Sequence, residues 1–340
     1  MSTTHARHEP QETRNLFSCF LVFVCSSFLL CSPAFAAQKR PQAKRPAAKH
    51  AVAKKPAPPA FDEQALATQV MLDRAGYSPG EIDGRMGTGT KRALEAFTKS
   101  GAKQDPEGTP LVPYKITSED AAGPFTPNLP EDMMEKSKLS ALDYRNLTEA
   151  LGEKFHASPA LLKALNPQAK FEAGEEIRVP DVADAAQPAA PARGGRATDP
   201  NSPATITVTV RKSTSDLIVA DGAGHTLMYA PVTTGSAHDP LPIGDWKVTG
   251  VQKNPAFHYN PDLFWDADAK QEKATIPPGP NNPVGVVWVD ISRPHYGLHG
   301  TPEPSTVGKT TSHGCVRLTN WDARKLAALV RPGTKVVFAE

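Results

Sequence analysis

From residue 205 onward, apolar and polar side chains alternate with a period of two. Thr205, Ile206, Thr207, Val208, Thr209 and Val210 put every second residue on one face, the pattern of a half-buried strand. Leu217–Ala220 and Leu227–Tyr229 flank Asp221-Gly222-Ala223-Gly224 and predict a hairpin. Trp246–Thr249 and Val286–Val289 add strands, and the helical period is confined to about 321–330. A long Pro-rich insertion at about 253–283 interrupts this block; a loop of that length in a compact domain is usually a lid or a binding loop. Upstream the period is helical. Leu66, Val70, Met71 and Arg74 predict one helix, stopped by Ser78-Pro79-Gly80, and a second starts near Thr90 with Ala93, Leu94 and Phe97 on one face. Further on, Leu147–Leu151 and Leu161–Leu165 predict two short helices, the second with Ser158 as N-cap and Pro159 in its first turn.

Two stretches carry no such period. Residues 37–60 form a basic Ala/Pro-rich linker: 38–60 hold seven Lys or Arg and no acid. Residues 182–204 form a second linker, with eight Ala and four Pro. Neither composition buries enough apolar surface to fold. Ahead of them, Leu16–Leu30 is an uncharged run preceded by Arg7 and Arg14 and followed by Ala34-Phe35-Ala36. A charged start, a short apolar run and an A-x-A site predict a signal peptide over 1–36, too short for a bilayer span of roughly 20 residues.

Removal of 1–36 changes the meaning of the cysteines. Three of the four, Cys19, Cys25 and Cys31, leave with the signal, and Cys315 stays alone in an exported chain. A disulfide framework is therefore excluded within the mature chain. The net charge of +2 becomes −5 without the seven basic residues of 38–60, so no chain-wide attraction to nucleic acid is expected. The basic stretch itself suits either an anionic surface or a solvated tether.

Cys315 lies in Ser312-His313-Gly314-Cys315-Val316-Arg317-Leu318, with His299-Gly300-Thr301 upstream. A free thiol is only a few per cent thiolate at neutral pH, so a nucleophilic cysteine needs a base or positive charge beside it. His313, Arg317 and His299 are all candidates, and spacing alone does not rank His299 above His313. Gly314 lets the chain bend so that its N–H and that of Cys315 could face a forming oxyanion. His295 and His299, four apart, would make a metal pair only on a helix, and Pro294 and Gly297 argue against one; no metal or other cofactor is expected.

His299-Gly300-Thr301, Pro304, Gly308, Ser312–Arg317 and Asn320 resemble the signature of the L,D-transpeptidase (YkuD) family, across about 205–340. Thr234-Gly235, Pro242-Ile243-Gly244 and Pro277–Pro283 extend the likeness, although Leu241-Pro242-Ile243-Gly244 stands where relatives often have Thr-Pro-Thr-Gly. Residues 61–102, through Gly76–Gly84, Gly87, Thr90, Ala93, Leu94 and Phe97, resemble the small helical peptidoglycan-binding domain, with Thr98 in place of the usual Gln. Residues 139–181 are similar to a LysM module, which binds N-acetylglucosamine polymers, without an evident opening strand.

The resemblance implies a multidomain α+β protein: a mainly-β, sandwich-like catalytic domain at 205–340, a small helical domain and a small α/β module. It implies Cys315 as nucleophile and His299 as general base, held through its other ring nitrogen by a backbone carbonyl such as that of Gly300. His313, Gly314, Ser312 and Gly300 support the oxyanion, and Arg317 and Asn320 are substrate-binding candidates, Arg317 with a structural salt bridge as its other reading. The implied substrate is a peptidoglycan tetrapeptide stem. Its terminal D-Ala leaves, and the acyl group passes to a diaminopimelate amine, giving a 3–3 cross-link in the periplasm. Water as acceptor would make the enzyme an L,D-carboxypeptidase, and an outer-membrane lipoprotein amine would make it an anchoring enzyme. A non-catalytic wall-binding protein is the reading from a different class.

Overall fold

The chain enters its first helix, α1 (Glu63–Arg74), through an Asp62 cap: the carboxylate accepts the Ala65 N–H at 2.7 Å, one of the first-turn donors that have no helical partner. The computed structural model describes residues 61–102, 109–182, 206–268 and 270–340. The signal peptide, the basic linker and nearly all of the 182–204 linker lie outside the described residues. The second helix, α2 (Thr88–Lys99), starts two residues before Thr90. Buried Gln69 pins the turn between the helices: its amide nitrogen lies within 3.1 Å of Asp83 Oδ1, Arg85 O and Thr90 Oγ1, and its oxygen accepts the Gly84 N–H at 2.8 Å.

The next elements are β1 (Leu111–Lys115), α3 (Ser118–Ala122), α4 (Met133–Lys136), α5 (Leu147–Lys154), α6 (Pro159–Leu165) and β2 (Glu176–Pro180). Ser158 caps α6 and Pro159 occupies its first turn, as the sequence predicts. β1 and β2 pair antiparallel, from Leu111 opposite Pro180 to Lys115 opposite Glu176. β2 thus pairs with a strand at 111–115, upstream of the boundary at 139. Pro113 hides it, since a proline reads against a strand yet is tolerated in one that leaves an edge unpaired. Leu151, Leu161, Leu162, Ile177 and Val179 close over Leu66, Val70 and Ile82, so these helices share one core with α1.

The C-terminal block holds β3 (Thr207–Arg211), β4 (Asp216–Ala220), β5 (Thr226–Pro231), β6 (Gly244–Lys253), β7 (Phe257–Tyr259), β8 (Ala274–Ile276), β9 (Val287–Ile291), β10 (Gly297–His299), β11 (Val316–Arg317), α7 (Asn320–Leu329) and β12 (Lys335–Ala339). Eight strands make one sheet in the order β11-β10-β9-β6-β12-β3-β4-β5, with only β10–β11 and β12–β3 parallel. The sheet curls: Thr233, just past β5, exchanges two backbone hydrogen bonds of 3.0 and 2.9 Å with Arg317 of β11, the opposite edge. Val208, Leu217, Val289, Leu298 and Val316 from both ends accordingly meet in one core. Within the insertion, β7 and β8 form a two-stranded ribbon whose Tyr259 and Ile276 pack on Leu142 from the upstream block.

The blocks are joined rather than strung on linkers. Gly76 O and the Ser78 N–H bond to Tyr229 along β5, covering an otherwise open edge. Asp73 Oδ2 lies 3.0 Å from His156 Nδ1, and Asp73 Oδ1 lies 3.3 Å from Lys325 Nζ on α7. Ser78 Oγ donates to Asp322 Oδ2 at 2.8 Å, and the His156 ring stacks on Trp321 at 5.1 Å. Sequence periodicity does not reveal this clamp, because Asp73, His156 and Lys325 read as surface residues.

Burial alone would push the Asp73 carboxyl up, but Lys325 and His156 outweigh it and hold it well below the usual aspartate range. Asp73→Ala strands the Lys325 ammonium and should cost about 3–5 kcal/mol, read as a lower urea midpoint. A depressed carboxyl stabilises fully above its unfolded value of about 3.9 and loses that contribution as pH falls toward the folded value. The gap between wild type and Asp73→Ala should be complete at about pH 6 and narrow below about pH 4.

Candidate active site

Two short strands decide what meets at the edge of the sheet. β10 and β11 run parallel with Leu298 opposite Val316 and His299 opposite Arg317. Successive residues of a strand face opposite sides. Leu298 and Val316 are buried in the core, so His299 and Arg317 share the other face, and the same alternation brings Cys315 to it, one step before β11. Strand spacing and rise place the Cα atoms of Cys315 and His299 about 8 Å apart, within reach of two side chains.

His299 is 4 % exposed, and its Nδ1 lies 2.6 Å from Gly300 O. A carbonyl only accepts, so Nδ1 carries the proton and Nε2 keeps a lone pair. Trp288, paired with His299 across β9–β10, stacks on the imidazole at 5.2 Å and 18°. Gly297 leaves space for that indole: a β-carbon there would sit 2.6 Å from the ring. Burial pushes the imidazole down to about 3, with Arg317 adding to the shift and Gly300 O opposing it.

Cys315 is half-buried, enclosed by the sheet edge while still open to solvent, and its Sγ lies 3.7 Å from His295 O. Burial pushes the thiol above its ordinary value, partly offset by a Gly297 backbone hydrogen bond and by Arg317. Arg317 makes no salt bridge among the described residues, so its structural reading has no partner there. His295 sits in a turn at φ 65 while His299 ends a strand, so the two do not share a helical face.

The turn before Cys315 is braced by its own side chains. The Gly314 N–H reaches Ser312 Oγ at 3.2 Å, and that hydroxyl donates to Cys315 O at 2.5 Å, so Ser312 braces the loop and turns the Gly314 amide inward. Gly314 adopts φ 106, and a β-carbon would lie 2.6 Å from Tyr296, so glycine is required there by both conformation and space. His313 Nε2 is 2.7 Å from Asp266 Oδ1 and its ring sits edge-on to Phe264 at 5.0 Å, tying the loop to the insertion, while its buried Nδ1 has no hydrogen-bond partner among the described residues. Asn320 is 1 % exposed; its Oδ1 accepts the Val286 N–H at 3.2 Å, and its Nδ2 donates to Glu153 and Pro280 O.

Sequence reasoning missed Trp288, whose strand was legible but whose partner was not. It also missed Trp265, 59 % exposed on the insertion and stacked on His238 at 5.0 Å beside His313. A lone tryptophan in a Pro-rich stretch was the available signal.

Residues 205–338 match the L,D-transpeptidase catalytic domain, YkuD. Over 59 residues the chain is 48 % identical to the putative L,D-transpeptidase YkuD of Bacillus licheniformis, covering 17 % of this chain and 36 % of that protein. It is 27 % identical over 186 residues to the putative L,D-transpeptidase YkuD of Bacillus subtilis, covering 54 % of this chain and 88 % of the relative. Against the putative L,D-transpeptidase YqjB of Bacillus subtilis it is 30 % identical over 139 residues, covering 39 % of this chain and 70 % of the relative. The chain thus spans little more than a third of the first relative and most of the other two. It belongs to the L,D-transpeptidase family.

Proposed function

We propose that this protein is a peptidoglycan L,D-transpeptidase that works through a Cys315 thioester. The observation that carries the reading is the β10–β11 register, which puts Cys315, His299 and Arg317 on one face with the His299 Nδ1 proton already committed to Gly300 O. The Cys315 thiol attacks the carbonyl carbon between the third stem residue, a diaminopimelate, and the terminal D-Ala. His299 Nε2 takes the thiol proton as the C–S bond forms and returns it to the departing D-Ala nitrogen as the C–N bond breaks. The side-chain amine of a second stem then attacks the thioester carbonyl, expelling the thiolate and giving a 3–3 cross-link. With the Gly314 N–H held by Ser312, the Cys315 N–H is the backbone donor assigned to the forming oxyanion. Arg317, without a salt-bridge partner among the described residues, is suited to a stem carboxylate.

The resting pair is uncharged in this account. His299 is held near 3 and the thiol above its ordinary range, so at neutral pH both groups are neutral, and the proton moves only as sulfur attacks. Peptidoglycan lies outside the cytoplasm, which is where the signal peptide expected at 1–36 would send the chain; the periplasm is the compartment we assign. Water or a lipoprotein amine in place of the second stem remains compatible with the same thioester.

Purified protein incubated with tetrapeptide muropeptides should release D-Ala and yield 3–3 linked dimers by mass spectrometry. Tripeptide without dimer would assign water as the acceptor, and unchanged substrate would contradict the reading and favour a non-catalytic wall binder. Cys315→Ala should be inert, since loss of a comparable nucleophile costs on the order of 10⁶ in rate.

Alkylation of Cys315 by iodoacetamide should be slow near neutrality and climb as pH rises past the ordinary thiol value of about 8.5. A raised thiol pKa means fewer thiolates below it, so the curve should lie to the alkaline side of a free cysteine, with no plateau at acid pH. His299→Ala should slow the reaction further at about pH 7 and approach wild type at high pH, where hydroxide replaces the base. A rate flat from acid to neutral pH would indicate a resting thiolate–imidazolium pair instead.

A further inference from the structure

Glu153 belongs to α5, more than a hundred residues from the signature and in a different block, yet its carboxylate meets the first turn of α7. Its side chain is 10 % exposed; Oε1 lies 2.8 Å from Arg324, and Oε2 accepts from Asn320 Nδ2 at 3.0 Å. An acid at the start of a helix also meets the positive end of the helix dipole. Asn320 is the element through which this contact reaches the site. With Nδ2 committed to Glu153 and to Pro280 O at 3.2 Å, its Oδ1 must face the other way, where it accepts the Val286 N–H at 3.2 Å. That oxygen abuts Gly300 so closely that a β-carbon on Gly300 would fall on it. The carbonyl of Gly300 in turn holds His299 Nδ1 at 2.6 Å.

We propose that Glu153 is a positioning residue for the catalytic site, acting through Asn320 on the Gly300 peptide that aims His299. The upstream block then supplies part of the active-site scaffold instead of serving only to bring the enzyme to the wall. Glu153 and Pro280 O together hold the Asn320 NH₂ away from Gly300; without the Glu153 carboxylate one of those two acceptors is lost, and Oδ1 is pressed less firmly against Gly300 and the Val286 N–H. The imidazole then loses the fixed carbonyl that sets its tautomer and direction. This inference rests on His299 being the base that serves Cys315, and does not depend on which acyl acceptor the enzyme uses.

The test uses the full chain. Glu153→Met removes the acceptor at similar volume, Glu153→Gln keeps an amide oxygen for Asn320 while losing the charge, and Ser78→Ala loosens the same interface away from Asn320. Iodoacetamide alkylation of Cys315 is followed against pH beside His299→Ala, with kcat and KM on muropeptides and thermal unfolding in parallel. Glu153→Met should slow alkylation at about pH 7 by about tenfold or more and converge with wild type at high pH, with kcat falling and KM held, because misplaced catalytic groups cost rate rather than binding. Glu153→Gln should restore most of the rate, and Ser78→Ala should lower the unfolding temperature without moving the pH profile. Should Glu153→Met not fold, Glu153→Met with Arg324→Met removes both buried charges and is expected to show the same slow alkylation. A wild-type profile in either Met variant beside a slow His299→Ala overturns the role of Glu153 and leaves the base in place. Wild-type profiles in both the Met variant and His299→Ala overturn the base assignment and this inference with it. A Glu153→Gln as slow as Glu153→Met also overturns it, by showing that the Arg324 ion pair carries the effect.

Discussion

The parallel pairing of β10 with β11 is the constraint on which the site rests. These strands contribute three and two residues, too few to hold a register by backbone hydrogen bonds alone. Burial holds it: Leu298 and Val316 face the core, and a slip of one residue would turn them out and bring His299 and Arg317 in. The closure of the sheet by Thr233 on Arg317 secures the outer strand, which would otherwise be an open edge. Each chemical group then inherits its place from alternation. Cys315, Gly297, His299 and Arg317 share a face because their neighbours are buried on the other.

The chemistry follows from what surrounds that face. Trp288 on one side and the Gly300 carbonyl on the other leave the imidazole dry, neutral and with one nitrogen free. A neutral imidazole beside a protonated thiol avoids holding a buried ion pair, whose desolvation would be costly without further partners. The insertion closes the far side through Asp266 and Phe264 on His313, which fastens the turn before Cys315 to it.

Much of this was legible in the sequence because period and chemistry coincide there. The alternation at 205–210 became β3, the hairpin at 217–229 became β4 and β5, and the apolar tail became α7. Cys315 stood out as the single cysteine left after the predicted signal, and the His299–Gly300 contact follows the family pattern. What stayed hidden are contacts between distant segments. Asp73, His156, Lys325 and Glu153 look like solvated charges in a linear chain, and only folding brings them together in a buried seam. Asn320 matches the signature, but its burial at the start of α7 and its bonds to Val286, Glu153 and Pro280 are visible only in the fold. Pro113 conceals the strand at 111–115, and the linear sequence cannot show that the Ser312 hydroxyl closes on Cys315 O.

The chemistry proposed for the site requires a neutral His299, with its proton on Nδ1 and its lone pair free for the thiol. Nitrogen-15 NMR of the histidine-labelled protein measures this directly. The account predicts an Nδ1–H tautomer for His299 that persists from about pH 8 to about pH 4 without titrating, because burial and Arg317 keep the charged form out of reach. A midpoint near the ordinary histidine value of about 6.5, or a proton on Nε2, would contradict it.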